Sequence, residues 1–139
     1  LHKAGIKVIV ATNQSGIARG FYDEETLQKI HAKMNNLISE AGGELSGVFY
    51  CPHGPDDGCD CRKPLPGMFH QIAEEFDIDL TGVPIVGDAL RDLQAGQAVG
   101  CTPYLVKTGK GERTIEKGEG LEGVVVFEDL AEFVDQLLK

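Results

Sequence analysis

The stretch Ile6-Lys7-Val8-Ile9-Val10-Ala11, running into Thr12-Asn13-Gln14, decides the fold class. It is rich in β-branched residues and almost continuously apolar, as a strand covered on both faces should be. Such strands belong to parallel sheets flanked by helices, where ligands bind at the carboxyl ends of the strands. The polar Thr12-Asn13-Gln14 stands at that end. Just before the strand, Leu1-His2-Lys3-Ala4-Gly5 reads as the last turn of a helix stopped by Gly5, which predicts that the chain enters in the middle of a domain.

Downstream, the hydrophobic period alternates between helix and strand. Leu27, Ile30, Met34, Leu37, Ile38 and Ala41 recur at helical spacing, with Asp23 as cap and Gly42-Gly43 as stop. Gly47 to Tyr50 reads as a short strand, Met68, Ile72, Ala73 and Phe76 as a helix after Pro66, and Val83 to Val86 as a third strand. Leu90, Leu93 and Ala98 predict a short helix, Tyr104 to Val106 and Val124 to Phe127 two more strands, and Leu130, Phe133, Val134, Leu137 and Leu138 a closing helix. The polar, glycine-punctuated stretch Thr108 to Gly120 is expected to be a mobile loop. This alternation predicts a single α/β domain over residues 1–139 with a mainly parallel sheet and right-handed crossovers.

Composition narrows the partners. At 139 residues, 42% hydrophobic and 25% charged, the chain is the size of one globular domain. Thirteen Lys and Arg against 22 Asp and Glu give a net charge of −9, with no basic run longer than Arg62-Lys63, so a nucleic-acid backbone is not the expected ligand. No apolar stretch approaches the roughly 20 residues that span a bilayer. No signal-peptide pattern opens the chain, so a membrane partner is not expected and a cytoplasmic location is.

Three of the four Cys fall in Cys51-Pro52-His53-Gly54-Pro55-Asp56-Asp57-Gly58-Cys59-Asp60-Cys61, an aperiodic stretch that regular hydrogen bonding cannot order. Cys51, His53, Cys59 and Cys61 offer three thiolates and an imidazole, the ligand set of a closed, structural tetrahedral zinc site. Zinc binding stabilises small domains by on the order of 10–16 kcal/mol. The rivals are a disulfide, which leaves an odd thiol, and free or redox-active thiols. Cys101 stands apart and reads as a small buried hydrophobe.

Three further features can carry phosphoryl chemistry, and each has an ordinary alternative. Thr12-Asn13 offers a hydroxyl, an amide and backbone N–H groups to an anion, or forms a plain turn. Lys63 could neutralise phosphoryl charge, or lie on a solvated surface. Asp88 and Asp92 stand four residues apart at a helix opening, spaced to share one face and to supply hard oxygen ligands to Mg²⁺, or to cap the helix and complement its dipole.

Taken together, Thr12-Asn13-Gln14-Ser15-Gly16-Ile17-Ala18-Arg19-Gly20, Cys51-Pro52-His53, Cys59-Asp60-Cys61-Arg62-Lys63-Pro64, Pro66-Gly67-Met68 and Val86-Gly87-Asp88 resemble motifs II, III and IV of the haloacid dehalogenase-like (HAD) phosphohydrolases. The similarity is greatest to the branch acting on heptose bisphosphate in the synthesis of lipopolysaccharide-core and S-layer heptose. Histidinol-phosphate phosphatases are similar and share the zinc loop. The resemblance implies a HAD-like Rossmannoid sheet and Mg²⁺-dependent removal of the 7-phosphate from a heptose 1,7-bisphosphate by a monomer. It implies that Thr12 and Asn13 bind the transferring phosphoryl group, Lys63 holds its charge, Arg62 contacts the sugar phosphate, and Gln14 to Arg19 line the entrance. Asp88 would bind Mg²⁺ with Asp92 in support, and Cys51, His53, Cys59 and Cys61 would bind structural Zn²⁺.

The family's first motif, Asp-x-Asp-Gly-Thr, does not occur; Asp77-Ile78-Asp79 is followed by Leu80-Thr81 and comes after a helix. In the family its first Asp attacks phosphorus and its second is the general acid and base. Its strand lies between those ending at Thr12 and Asp88. The expectation is therefore an inactive fragment with two half-sheets and exposed apolar edges. The alternatives are a histidinol-phosphate phosphatase and a non-catalytic, zinc-stabilised sugar-phosphate-binding remnant.

Overall fold

The computed structural model describes residues 1, 3–54 and 56–139. His2, in the predicted turn 1–5, and Pro55, in the Cys-rich sequence 51–61, lie outside the described residues. The chain consists of two compact units, Leu1–Arg62 and Lys63–Lys139.

In the first unit, Gly5 adopts φ 76° and the Ile6 N–H reaches back to the Leu1 carbonyl at 3.1 Å, the closure expected where a helical turn ends. Strand β1 (Ile9–Asn13) starts three residues later than its apolar run, and every residue in it is only half-buried. Burial on both faces was expected. Among the described residues, β1 pairs along one edge only, parallel to β2 (Gly47–Cys51), with Ile9 opposite Gly47 and Asn13 opposite Cys51.

The crossover between them is α1 (Glu24–Glu40). Asp23 caps it by accepting the Thr26 N–H at 2.8 Å, as the sequence predicts, and this bond holds the carboxyl below its usual pKa. Its buried face differs from the expected stripe. Leu27 and His31 are buried, whereas Ile30 and Leu37 are 53% and 54% exposed. The face seen runs 27, 31, 34 and 38, and His31 belongs to it because its ring meets Tyr50 of β2 edge-on at 5.6 Å.

The second unit runs α2 (Gly67–Phe76), β3 (Pro84–Gly87), α3 (Leu90–Gln97), β4 (Thr102–Val106), α4 (Gly111–Lys117), β5 (Val125–Phe127) and α5 (Leu130–Leu137). Its three strands are parallel in the order β3-β4-β5. Met68, Leu93 and Leu105 are fully buried, and the rings of Tyr104, Phe127 and Phe133 pack with centroids 5.0–5.9 Å apart. Gly96 lets α3 lie on β3: a Cβ there would stand 2.7 Å from Ile85 Cγ2. Cys101 is buried, as expected of a small hydrophobe, and burial pushes its thiol pKa up.

The expected mobile loop over Thr108 to Gly120 is corrected by α4 within it. Seven residues are too few to show a hydrophobic period, and the flanking glycines are helix punctuation: Gly118, at φ 67°, is the C-cap. Among the described residues the strands form two sheets, β1-β2 and β3-β4-β5, in line with the two half-sheets expected from the sequence. No helix of the described residues is long and apolar enough to cross a membrane.

Candidate active site

In the first unit the site residues gather at the carboxyl ends of the two paired strands. Thr12 and Asn13 are the last residues of β1 and Cys51 the last of β2. The Gln14 N–H donates to the Cys51 carbonyl at 2.8 Å, continuing the ladder past the end of the sheet. Its side chain works locally: Nε2 donates to Thr12 Oγ1 at 3.1 Å, and Oε1 accepts from the Tyr22 hydroxyl. Gln14 therefore orients the Thr12 hydroxyl. Gly16 lets the Tyr22 ring lie against the loop, since a Cβ would stand 2.7 Å from Tyr22 Cζ. Arg19 is exposed, its N–H bonded to the Ser15 carbonyl at 3.0 Å.

The Cys-rich loop follows β2. The Sγ atoms of Cys51, Cys59 and Cys61 lie within 4.8 Å of one another, with Cys51 and Cys59 3.6 Å apart. Four ligands at the Zn–S distance of about 2.3 Å around a tetrahedron would be about 3.8 Å apart. Two features depart from the expected ligand set. Cys51 and Cys61 are paired as a disulfide, which takes two of the three sulfurs. His53 stands outside the sulfur group and is drawn to Asp57, its Nδ1 3.9 Å from Oδ2; the same Oδ2 accepts the Gly54 N–H at 2.7 Å. Arg62 Nη1 donates to the His53 carbonyl at 3.4 Å, which ties the end of the loop to its start.

In the second unit Lys63 Nζ meets Asp92 Oδ1 at 2.5 Å, with both side chains largely buried. Asp92 is the third residue of α3, and its Oδ2 accepts the N–H of the N-cap residue Ala89 at 3.2 Å. The close approach of β3 to this carboxylate requires Gly87, where a Cβ would stand 2.5 Å from Asp92 Cβ. Asp88 precedes the N-cap and so lies outside the helix, which corrects the expectation of two carboxylates on one helical face. Its Oδ2 accepts the Lys110 N–H at 2.9 Å and its carbonyl accepts from Thr114 Oγ1 at 2.7 Å.

Gly109, Lys110 and Thr114 are the site residues that sequence reading missed. Their signal was available: Thr108-Gly109-Lys110-Gly111 is another polar run after the carboxyl end of an apolar strand. Gly109 is at φ 61°, and a Cβ there would collide with the Asp88 carboxylate. Lys107, just after β4, is paired with Glu128 at 2.8 Å, and that hydrogen bond raises its pKa.

Residues 60–133 match the HAD-hydrolase-like family model. A D-glycero-beta-D-manno-heptose-1,7-bisphosphate 7-phosphatase of Bordetella bronchiseptica is 55% identical over 139 residues, the whole of this chain and 78% of that protein. This chain belongs to that family of HAD-like hydrolases. The Pseudomonas aeruginosa member is likewise 55% identical across the whole chain and 78% of its own length. The crystal structure of the D,D-heptose 1,7-bisphosphate phosphatase from B. bronchiseptica, complexed with magnesium and phosphate, superposes with a TM-score of 0.96. It covers 99% of this chain and 77% of that one. The arrangement of parallel strands and helices is thus that of a HAD-like hydrolase.

Proposed function

We propose that this chain carries the phosphoryl-binding and magnesium-binding residues of a phosphatase that removes the 7-phosphate of D-glycero-D-manno-heptose 1,7-bisphosphate. The observation that carries this reading is the carboxylate pair after β3 and the cation that it holds: the buried Asp92 binds Lys63, and Asp88 is fixed through Lys110 and Thr114. A pure binding module has no need of a carboxylate held in this way. The identity of the relatives supports the sugar.

Each residue then has a role. Thr12 and Asn13 donate to the phosphoryl oxygens, with Gln14 orienting the Thr12 hydroxyl. Lys63 neutralises phosphoryl charge, and Asp92 keeps its ammonium in place. Arg62, and Arg19 on the exposed loop, contact the rest of the sugar phosphate. Asp88 keeps Oδ1 outside its bond to Lys110 and is the hard oxygen ligand that suits Mg²⁺, with Asp92 supporting it. When bound, Mg²⁺ would polarise the phosphoryl group. The phosphoryl group passes to an aspartate outside these 139 residues and then to water, so the chain alone is expected to be inactive.

In the reduced protein, Cys51, Cys59 and Cys61 hold a structural Zn²⁺ with His53 as fourth ligand; the sulfur spacing supports the three thiolates. The reaction is that of a cytoplasmic enzyme acting on a small sugar phosphate as a monomer.

Two measurements test this. The reading frame upstream of the Leu1 codon is expected to encode Asp-x-Asp-Gly-Thr. The protein expressed from that whole frame is expected to release phosphate from the heptose bisphosphate only with Mg²⁺, and Asp88→Asn to lower the rate by about a hundredfold or more. Sustained phosphate release by the 139 residues alone, or faster turnover of histidinol phosphate than of the heptose bisphosphate, would overturn the reading.

A further inference from the structure

The Cys-rich loop holds its three sulfurs in a graded arrangement. Cys51 is fully buried at the end of β2, Cys61 is buried at the far end of the loop, and Cys59 between them is partly open to solvent. Cys51 Sγ is the shared neighbour: it is bonded to Cys61 and lies 3.6 Å from Cys59 Sγ. A metal bound by the three thiolates and a Cys51–Cys61 disulfide exclude each other, because the bond takes two of the three donors.

We infer that this loop is a redox switch, in which Cys59 admits a peroxide-class oxidant, Cys51 relays the oxidation inward, and the disulfide settles on the buried pair Cys51–Cys61 as the metal leaves. The inference rests on the zinc reading above for what is released, but not for the sulfur chemistry. The steps balance. The Cys59 thiolate attacks hydrogen peroxide, giving a sulfenic acid and hydroxide. The Cys51 thiolate then attacks the sulfenic sulfur, forming Cys51–Cys59 and releasing a second hydroxide. The Cys61 thiolate attacks Cys51 Sγ, forming Cys51–Cys61 and returning Cys59 as a thiolate. Two electrons pass to one peroxide, and an external dithiol returns them.

The switch has a structural reach. Arg62 follows Cys61 directly, and its guanidinium bonds the His53 carbonyl, so the same loop that gains or loses a bond also positions this side chain. Cys101 is a free, buried thiol of the second unit that belongs to no such cluster among the described residues, and it serves as an internal control.

The test uses the full-length reduced protein with one equivalent of hydrogen peroxide, read by peptide mapping after alkylation and by a colorimetric zinc chelator. The expected result is a Cys51–Cys61 disulfide, Cys59 and Cys101 both alkylated, and about one zinc released per chain, all reversed by dithiothreitol. In metal-free reduced protein, Cys59→Ser is expected to slow formation of that disulfide at least tenfold. The inference is overturned if the loop accumulates sulfinate with no disulfide, or if Cys59→Ser oxidises at the parent rate. A reduced protein that contains no zinc but still follows the sulfur sequence refutes the zinc reading alone.

Discussion

The Lys63–Asp92 pair gives a quantitative test of how the site is built. Nζ and Oδ1 are 2.5 Å apart and the side chains are 11% and 13% exposed, so solvent screens them little. Asp92 also accepts the Ala89 N–H, so Asp92→Ala removes the charge facing Lys63 and the acceptor facing the start of α3. Breaking a buried pair from one side costs about 3–5 kcal/mol, and Asp92→Ala is expected at the upper end. Asp92→Asn keeps an oxygen for Ala89 and is expected near the lower end, about 3 kcal/mol. Lys63→Met keeps the apolar stem but deprives the carboxylate of its ammonium, again at about 3–5 kcal/mol. With both charges gone, the double variant Lys63→Met/Asp92→Asn is expected to be more stable than the sum of its parents by about 1–3 kcal/mol. Urea unfolding of the full-length parent, the three single variants and the double variant, with unchanged m values, measures this. Additivity within about 0.5 kcal/mol would refute the direct interaction.

Four other outcomes follow. Gly109→Ala puts a Cβ on the Asp88 carboxylate and forces alanine into the left-handed region, which costs about 1–2 kcal/mol. The Mg²⁺ concentration for half-maximal phosphate release should rise at least tenfold, and an unchanged Mg²⁺ dependence would show that this carboxylate does not serve the metal. Leu93→Ala empties a fully buried position in α3 and should cost about 2–5 kcal/mol, whereas Leu130→Ala, 56% exposed, should stay within about 0.5 kcal/mol; denaturant midpoints compare the two. The Asp23 carboxyl is held below its usual pKa by the Thr26 N–H, so its stabilisation of α1 is complete above the unfolded value of about 3.9 and fades as pH falls through the lower folded value. Asp23→Asn keeps an acceptor that does not titrate and should flatten that acid limb in circular-dichroism melts, and an identical limb in both proteins would argue against the cap. Stripping zinc from reduced protein with a strong chelator should lower the melting temperature, and the Cys59→Ser variant should show no further drop.

The strand and helix periods were legible from the residues because burial of one face is a local, repeating constraint. Asp23 and Gly42-Gly43 bracketed α1 for the same reason: a cap and a stop satisfy backbone groups within a few residues. Local patterning failed where distant packing chose the outcome. His31 is buried and Ile30 exposed because Tyr50 of β2 meets the helix one position from the apolar stripe. The helix α4 was hidden because its seven residues lack a period.

At the site, the strand ends were legible in the sequence: Thr12-Asn13 closes β1, Cys51 closes β2 and Asp88 follows β3. Their division of labour was not. That Asp92 holds Lys63, while Asp88 stands outside the helix on Lys110 and Thr114, depends on contacts between residues 22 to 29 positions apart. Gln14 differs in range but not in kind: its amide turns to Thr12 and Tyr22, two and eight positions away, in a loop that has no period to announce it. A hydrogen bond between distant residues leaves no period in the chain. Only the folded positions of β3, α3 and the loop after β4 decide which groups meet.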